Sequence, residues 1–104
     1  MLATLERPAG GVLTAGTLEV DLDAYSARLN GTVLDLTSSE TELLALLITN
    51  AKRVVSRTQL AEAIGLRQHR SVDVLLSSLR HKTGRDFVRN VRGRGWIIDL
   101  DKLG

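Results

Sequence analysis

The chain has 104 residues, 43% of them hydrophobic, with a single proline and no cysteine. That length supports one domain around a modest core, and the missing cysteine excludes disulfides and thiolate metal sites, a pattern that fits the cytoplasm. No apolar run approaches the roughly 18 residues that span a bilayer, and Arg7 and Pro8 interrupt the N-terminal apolar residues where a secretory signal needs continuity.

The formal net charge is only +2, but it is unevenly spread. Residues 1–51 carry two arginines against seven acids, whereas residues 52–96 carry eleven lysines and arginines against three acids. A near-neutral chain with one basic half has the footprint of a polyanion binder, the plainer reading being a basic solvated face.

In chain order, residues 1–16, "MLATLERPAGGVLTAG", show weak periodicity around Pro8 and Gly10-Gly11 and read as a linker or loose N-terminal arm. Leu18, Val20 and Leu22 then alternate with Glu19, Asp21 and Asp23, which predicts a half-buried strand. Asn30-Gly31 predicts a tight hairpin joining "SARL" to "TVLDL". The chain therefore opens with a small antiparallel sheet.

The period then changes. Thr37 followed by Glu40 is a capping box ahead of an apolar run, with Leu43, Leu44, Leu47 and Ile48 at helical spacing and Asn50 as a left-handed cap. After an extended Val54-Val55, Ser56 and Gln59 form a second capping box, opening a short helix with Leu60 and Ile64 inward and Gly65 as its stop. A third helix is predicted over residues 71–83. On a helical wheel Val72, Leu75, Leu76, Leu79 and Thr83 share one face. The opposite face carries Asp73, Val74, Ser77, Ser78 and His81, flanked by Arg80 and Lys82, and the core stripe does not explain an outward Val74. Gly84 closes the helix, and residues 87–100 read as a hairpin turning at Gly93-Arg94-Gly95.

Sheet, helix, short strand, helix, helix and hairpin is the layout of a winged helix-turn-helix. The expected fold is α+β, with an N-terminal antiparallel sheet, three helices and a C-terminal β-hairpin wing over residues 17–104. Nothing resembles catalytic machinery, and the chain is not expected to be an enzyme or to need a cofactor. The carboxylates form no acid–base constellation: Asp73 suits a first helical turn and Glu40 is committed to its cap. His69 and His81 lie twelve apart with no third ligand at metal spacing, and "GRG" is too short for a nucleotide-binding loop. Arg89, Arg92 and Arg94 fit a solvated hairpin or a cationic projection, and Trp96 fits core filling or a phosphate contact.

Taken in order, "LDLTSSETELLALLITNAKRVVSRTQLAEAI", "RSVDVLLSSLRHKTG" and "VRNVRGRGW" resemble the DNA-binding output domains of OmpR/PhoB-type response regulators. The resemblance covers residues 18–100. It implies sequence-specific binding to double-stranded DNA in transcriptional regulation, within a two-component phosphorelay, with no membrane or small-molecule partner. It places Arg70 and Ser71 at phosphates beside a helix N-terminus, where free N–H groups and a guanidinium suit an anionic oxygen. It places Val74, Leu75, Ser77, Ser78, Arg80 and His81 in or beside the major groove. Asn90 and Trp96 align with backbone-contacting wing residues. Arg92 aligns with an arginine that enters the minor groove, and Arg94 shares its tip. The family often has arginines where Ser77 and Ser78 stand and a histidine where Leu75 stands, so this helix should rely less on bidentate guanine readout.

The resemblance further implies head-to-tail dimers on DNA, and contact with RNA polymerase through the stretch "GLRQHR", which is short here and lacks the family's tryptophan. The chain is expected to be either a C-terminal piece of a larger regulator or a regulator without a receiver domain, and the linker-like N-terminus favours the first. The alternative is a winged helix used as a protein-interaction module, docking a polymerase subunit or a fused enzyme with little DNA specificity.

Overall fold

A computed structural model describes residue 8 and residues 10–51, 53–65, 69–84 and 87–99, excluding the side chains of residues 69–71. Four strands come first: β1 (Val12–Ala15), β2 (Leu18–Asp21), β3 (Ser26–Leu29) and β4 (Thr32–Leu34). They form an antiparallel sheet in sequential order. The turn between β3 and β4 is Asn30-Gly31, with Asn30 at φ 53. Leu18, Val20 and Ala27 are buried on the inner face, whereas Glu19 and Arg28, paired across β2 and β3, face outward. The ordered sheet thus starts earlier than the sequence indicated. Val12–Ala15 fell within the expected arm, yet it pairs along its whole length with β2, Leu13 opposite Val20 and Ala15 opposite Leu18. Four residues between glycines carry too little alternation to read, and the register comes from the partner strand.

Helix α1 (Ser38–Thr49) is the central element. Its first turn has both halves of the expected capping box, Thr37 accepting from the Glu40 N–H and Glu40 accepting from the Thr37 N–H. Leu43, Leu44, Ala45, Leu46 and Leu47 are all buried, so the helix is apolar nearly all round. That suits an element packed between the sheet on one side and the other helices and the hairpin on the other. Each leucine buried here contributes roughly 2 kcal/mol. Asn50 does not form the expected left-handed cap. It sits at φ −106, buried, and its side-chain amide donates to the Leu46 carbonyl at 2.8 Å, satisfying a helix-end oxygen directly.

Helix α2 (Arg57–Ile64) has the second capping box, between Ser56 and Gln59, and ends at Gly65. Helix α3 (His69–Thr83) begins two residues before the expected start. Apolar periodicity begins only at Val72, so the polar first turn has no period to reveal it. Val72, Leu76 and Leu79 are fully buried. Among the described residues no helix is long and apolar enough to cross a membrane.

The C-terminal hairpin pairs β5 (Val88–Val91) with β6 (Gly95–Ile98). Its tip is closed by the Arg94 N–H donating to the Val91 carbonyl at 2.9 Å, with Gly93 at φ 77. The base is fixed by Val55, in the segment between α1 and α2. Val55 and Trp96 exchange two backbone hydrogen bonds, at 2.7 and 2.8 Å, as a third, one-residue strand. This contact explains Gly95, which is not primarily a turn residue. A Cβ there would overlap the Val55 carbonyl, and its φ of 147 is closed to other side chains.

An ion pair between a buried carboxylate and a partly exposed lysine closes the interior. Glu40 is 1% exposed and accepts from Lys82 Nζ at 2.8 Å, tying the start of α1 to the end of α3. Burial pushes its carboxyl up, but hydrogen bonds from Lys82, Ser78 and the Thr37 N–H outweigh burial and hold it down at about 2. The folded value lies below the ordinary 4.5, so this stabilisation is present above about pH 4.5 and is lost as pH falls from there towards 2. Glu40→Gln should cost about 3 kcal/mol at neutral pH, and the gap to wild type should close in denaturation curves as pH drops through that window. Gly95→Ala should cost at least about 2 kcal/mol. Gly93→Ala, with open space around its Cβ position, should cost only about 1 kcal/mol, which urea titration of the two variants checks.

Candidate nucleic-acid interface

The third helix sorts its side chains by their chemical commitments. Val74 is 64% exposed, an apolar side chain left in water by a helix whose other valine, Val72, is fully buried. Ser77 and His81 are exposed on the same side of the helix, three and seven residues further on. Leu75 is half-buried and packs against the core rather than standing free. Ser78, expected outward, is also half-buried, and its hydroxyl serves the Glu40 carboxylate. Lys82 is likewise drawn to Glu40. Arg80 is half-buried, and its Nε is enclosed without a hydrogen-bond partner. The side chains of Arg70 and Ser71 lie outside the described residues, as do residues 66–68 of the loop expected to meet polymerase.

The hairpin presents its cations differently. Arg92 and Arg94 are exposed at the tip, and no acid pairs with either among the described residues. Arg89 lies on the β5 side and approaches Asp99 at 3.9 Å. Asn90 is exposed, and its side-chain amide donates across the hairpin to the Gly95 carbonyl at 3.2 Å. That bond stiffens the region below the tip.

Of the two expectations for Trp96, core filling and a phosphate contact, its placement fits the first. Its ring is 4% exposed, and its indole N–H donates to Asp73 Oδ1 at 3.3 Å. The single donor of the side chain is therefore already committed. The other Asp73 oxygen, Oδ2, accepts from Arg57 at 2.8 Å. Asp73 is the fifth residue of α3, so it lies beyond the first turn where a helix dipole would hold it, and its role is to join α2, α3 and the hairpin. Sequence reasoning missed Asp73 and Arg57 as structural partners of the site. The one available signal was an acid inside the strongly basic half. Among the described residues no three His, Cys, Asp or Glu side chains gather to hold a metal.

The arrangement offers a helix with an uncharged exposed patch beside a cationic β-tip, and comparison with known proteins gives the same picture. The family model for the C-terminal part of transcriptional regulatory proteins matches residues 31–98. The response regulator ArlR of Staphylococcus haemolyticus is 34% identical over 105 residues, covering 92% of this chain and 48% of ArlR. The chain thus spans about half the length of that relative. The DNA-binding domain of CpxR from E. coli superposes with a TM-score of 0.75 at 28% identity, covering 86% of this chain and 96% of that one. The Klebsiella pneumoniae RstA DNA-binding domain, solved in complex with RstA box, gives 0.74 at 26% identity, covering 86% and 97%. A sheet, three helices and a hairpin in this order, matched in sequence from the Asn30-Gly31 turn to the end of β6, place the chain in the family of transcriptional regulatory protein C-terminal domains.

Proposed function

We propose that this domain binds double-stranded DNA sequence-specifically to regulate transcription in the bacterial cytoplasm. The observation that carries this reading is the pair Arg92 and Arg94, exposed on a hairpin whose base is hydrogen-bonded to Val55 and Asp73. Guanidinium groups held this way suit a narrow A·T-rich minor groove, where the negative potential is deepest. Helix α3 enters the adjacent major groove. Val74 meets a thymine methyl, Ser77 bonds to a base edge, and Arg80 and His81 flank the groove. Arg70 and Ser71 hold phosphates at the helix start, and Asn90 lies near the backbone. Leu75 borders the groove, and Ser78 contributes through Glu40 rather than through a base. Trp96 acts from beneath, as a support for the wing.

By analogy with ArlR, named a response regulator, the domain would serve as the output of a phosphorelay. Head-to-tail pairing on repeated half-sites and contact with RNA polymerase belong to the same proposal. One observation favours a second reading, a protein-interaction module. With Lys82 paired to Glu40 and Ser78 half-buried, the exposed face of α3 carries few charges free of a partner among the described residues.

Fluorescence anisotropy with random and selected duplexes separates the two readings. A DNA-binding domain shows affinity that falls steeply with salt, whereas a protein-interaction module shows little binding at any salt. Arg92→Ala should weaken binding most on sites with A·T-rich flanks and flatten the plot of log K against log salt by about one phosphate equivalent. Equal loss across all flanks, with an unchanged slope, would remove Arg92 from the minor groove.

A further inference from the structure

Residues 52–96 carry only three acids. One of them, Asp73, immediately precedes the outward Val74. A carboxylate beside a surface meant for a polyanion lowers affinity through like-charge repulsion, unless its charge is cancelled and put to use. Both conditions hold here. Arg57 Nη1 lies 2.8 Å from Oδ2 and cancels the charge from the first turn of α2, while the Trp96 N–H occupies Oδ1 at 3.3 Å.

The geometry of the hairpin gives that second bond its consequence. The Val55–Trp96 backbone pair holds β6 along one short line, and a two-stranded hairpin held on one line can still tilt about it. The indole bond adds a point of attachment off that line, and it reaches α3 directly, one residue from Val74. The spacing between the helix surface and the Arg92–Arg94 tip is therefore set by this carboxylate together with the packing of Val88, Trp96 and Ile98 in the core.

We propose that Asp73 is a positioning residue: it fixes the wing against the third helix through the Trp96 indole, while Arg57 neutralises it and anchors it to α2. The use of that geometry on DNA rests on the function proposed above, but the fixing itself is a property of the protein alone. Tests of the two can therefore be separated.

Trp96 is the chain's only tryptophan, so its fluorescence reports on the contact in the absence of DNA. In Asp73→Ala the emission should shift to the red and quenching by acrylamide should rise, with the far-ultraviolet helix signal unchanged. Asp73→Asn, which keeps an oxygen to accept the indole N–H, should remain close to wild type. On a selected duplex, Asp73→Ala and Trp96→Phe should each weaken binding by about tenfold, and the double variant should be no weaker than the poorer single one. On random duplex all three should stay within about twofold of wild type, because phosphate contacts made independently of wing angle are retained.

Unchanged emission and quenching in a folded Asp73→Ala protein would overturn the proposal. So would losses that multiply in the double variant. If Asp73→Ala does not fold, Asp73→Asn and Trp96→Phe decide instead by their affinity for the selected duplex: near-wild-type binding by Asp73→Asn together with about tenfold loss in Trp96→Phe supports the contact, and equal loss in the two overturns it. Failure of wild-type protein to bind any duplex would defeat the DNA-binding reading, leaving the fluorescence comparison to decide the role of Asp73.

Discussion

The exchange of backbone hydrogen bonds between Val55 and Trp96 is the constraint around which the other contacts of the site are arranged. It brings together segments 41 residues apart in the chain and makes the C-terminal hairpin part of the domain rather than an appendage. An isolated two-stranded hairpin is marginal in water. Here the extra strand residue, the buried Trp96 ring and the packing of Val88 and Ile98 supply what two strands lack. The absence of a side chain at residue 95 follows from this approach, because the Val55 carbonyl occupies the place where a Cβ would stand.

The basic half of the chain divides its work between two kinds of surface. The hairpin tip keeps its guanidinium groups in water, away from any described acid. The third helix instead exposes methyls and hydroxyls, and several of its polar groups are engaged elsewhere: Asp73 with Arg57 and Trp96, Lys82 and Ser78 with Glu40. On the function proposed above, general attraction would come mainly from the tip and discrimination from the contours of the helix.

The features legible in the sequence were those encoded over three or four residues. Both capping boxes, the Asn30-Gly31 turn and the apolar stripe of the third helix are local patterns, and the structure has each of them. The first strand was not legible, since Val12–Ala15 lies among glycines and takes its register from β2. The support of the site was hidden for a related reason. Arg57, Asp73 and Trp96 are separated by 16 and 23 residues, and no periodicity connects a helix N-terminus, a helix turn and a hairpin strand. Family resemblance placed Trp96 at the wing, but it could not show that its N–H donates to a carboxylate on the neighbouring helix.

The Glu40 carboxylate, set in the interior with two ligands from one helix, has a consequence for how such a domain diversifies. Positions 74, 77 and 81 face solvent and answer to no internal partner described, so exchanges there leave the scaffold's contacts intact. Positions 78 and 82 are more constrained, since a replacement without a hydrogen-bond donor removes one of the bonds that hold the interior anion. Changes to this helix that spare the fold therefore run along one stripe of its surface, and the adjacent stripe is held still by the interior.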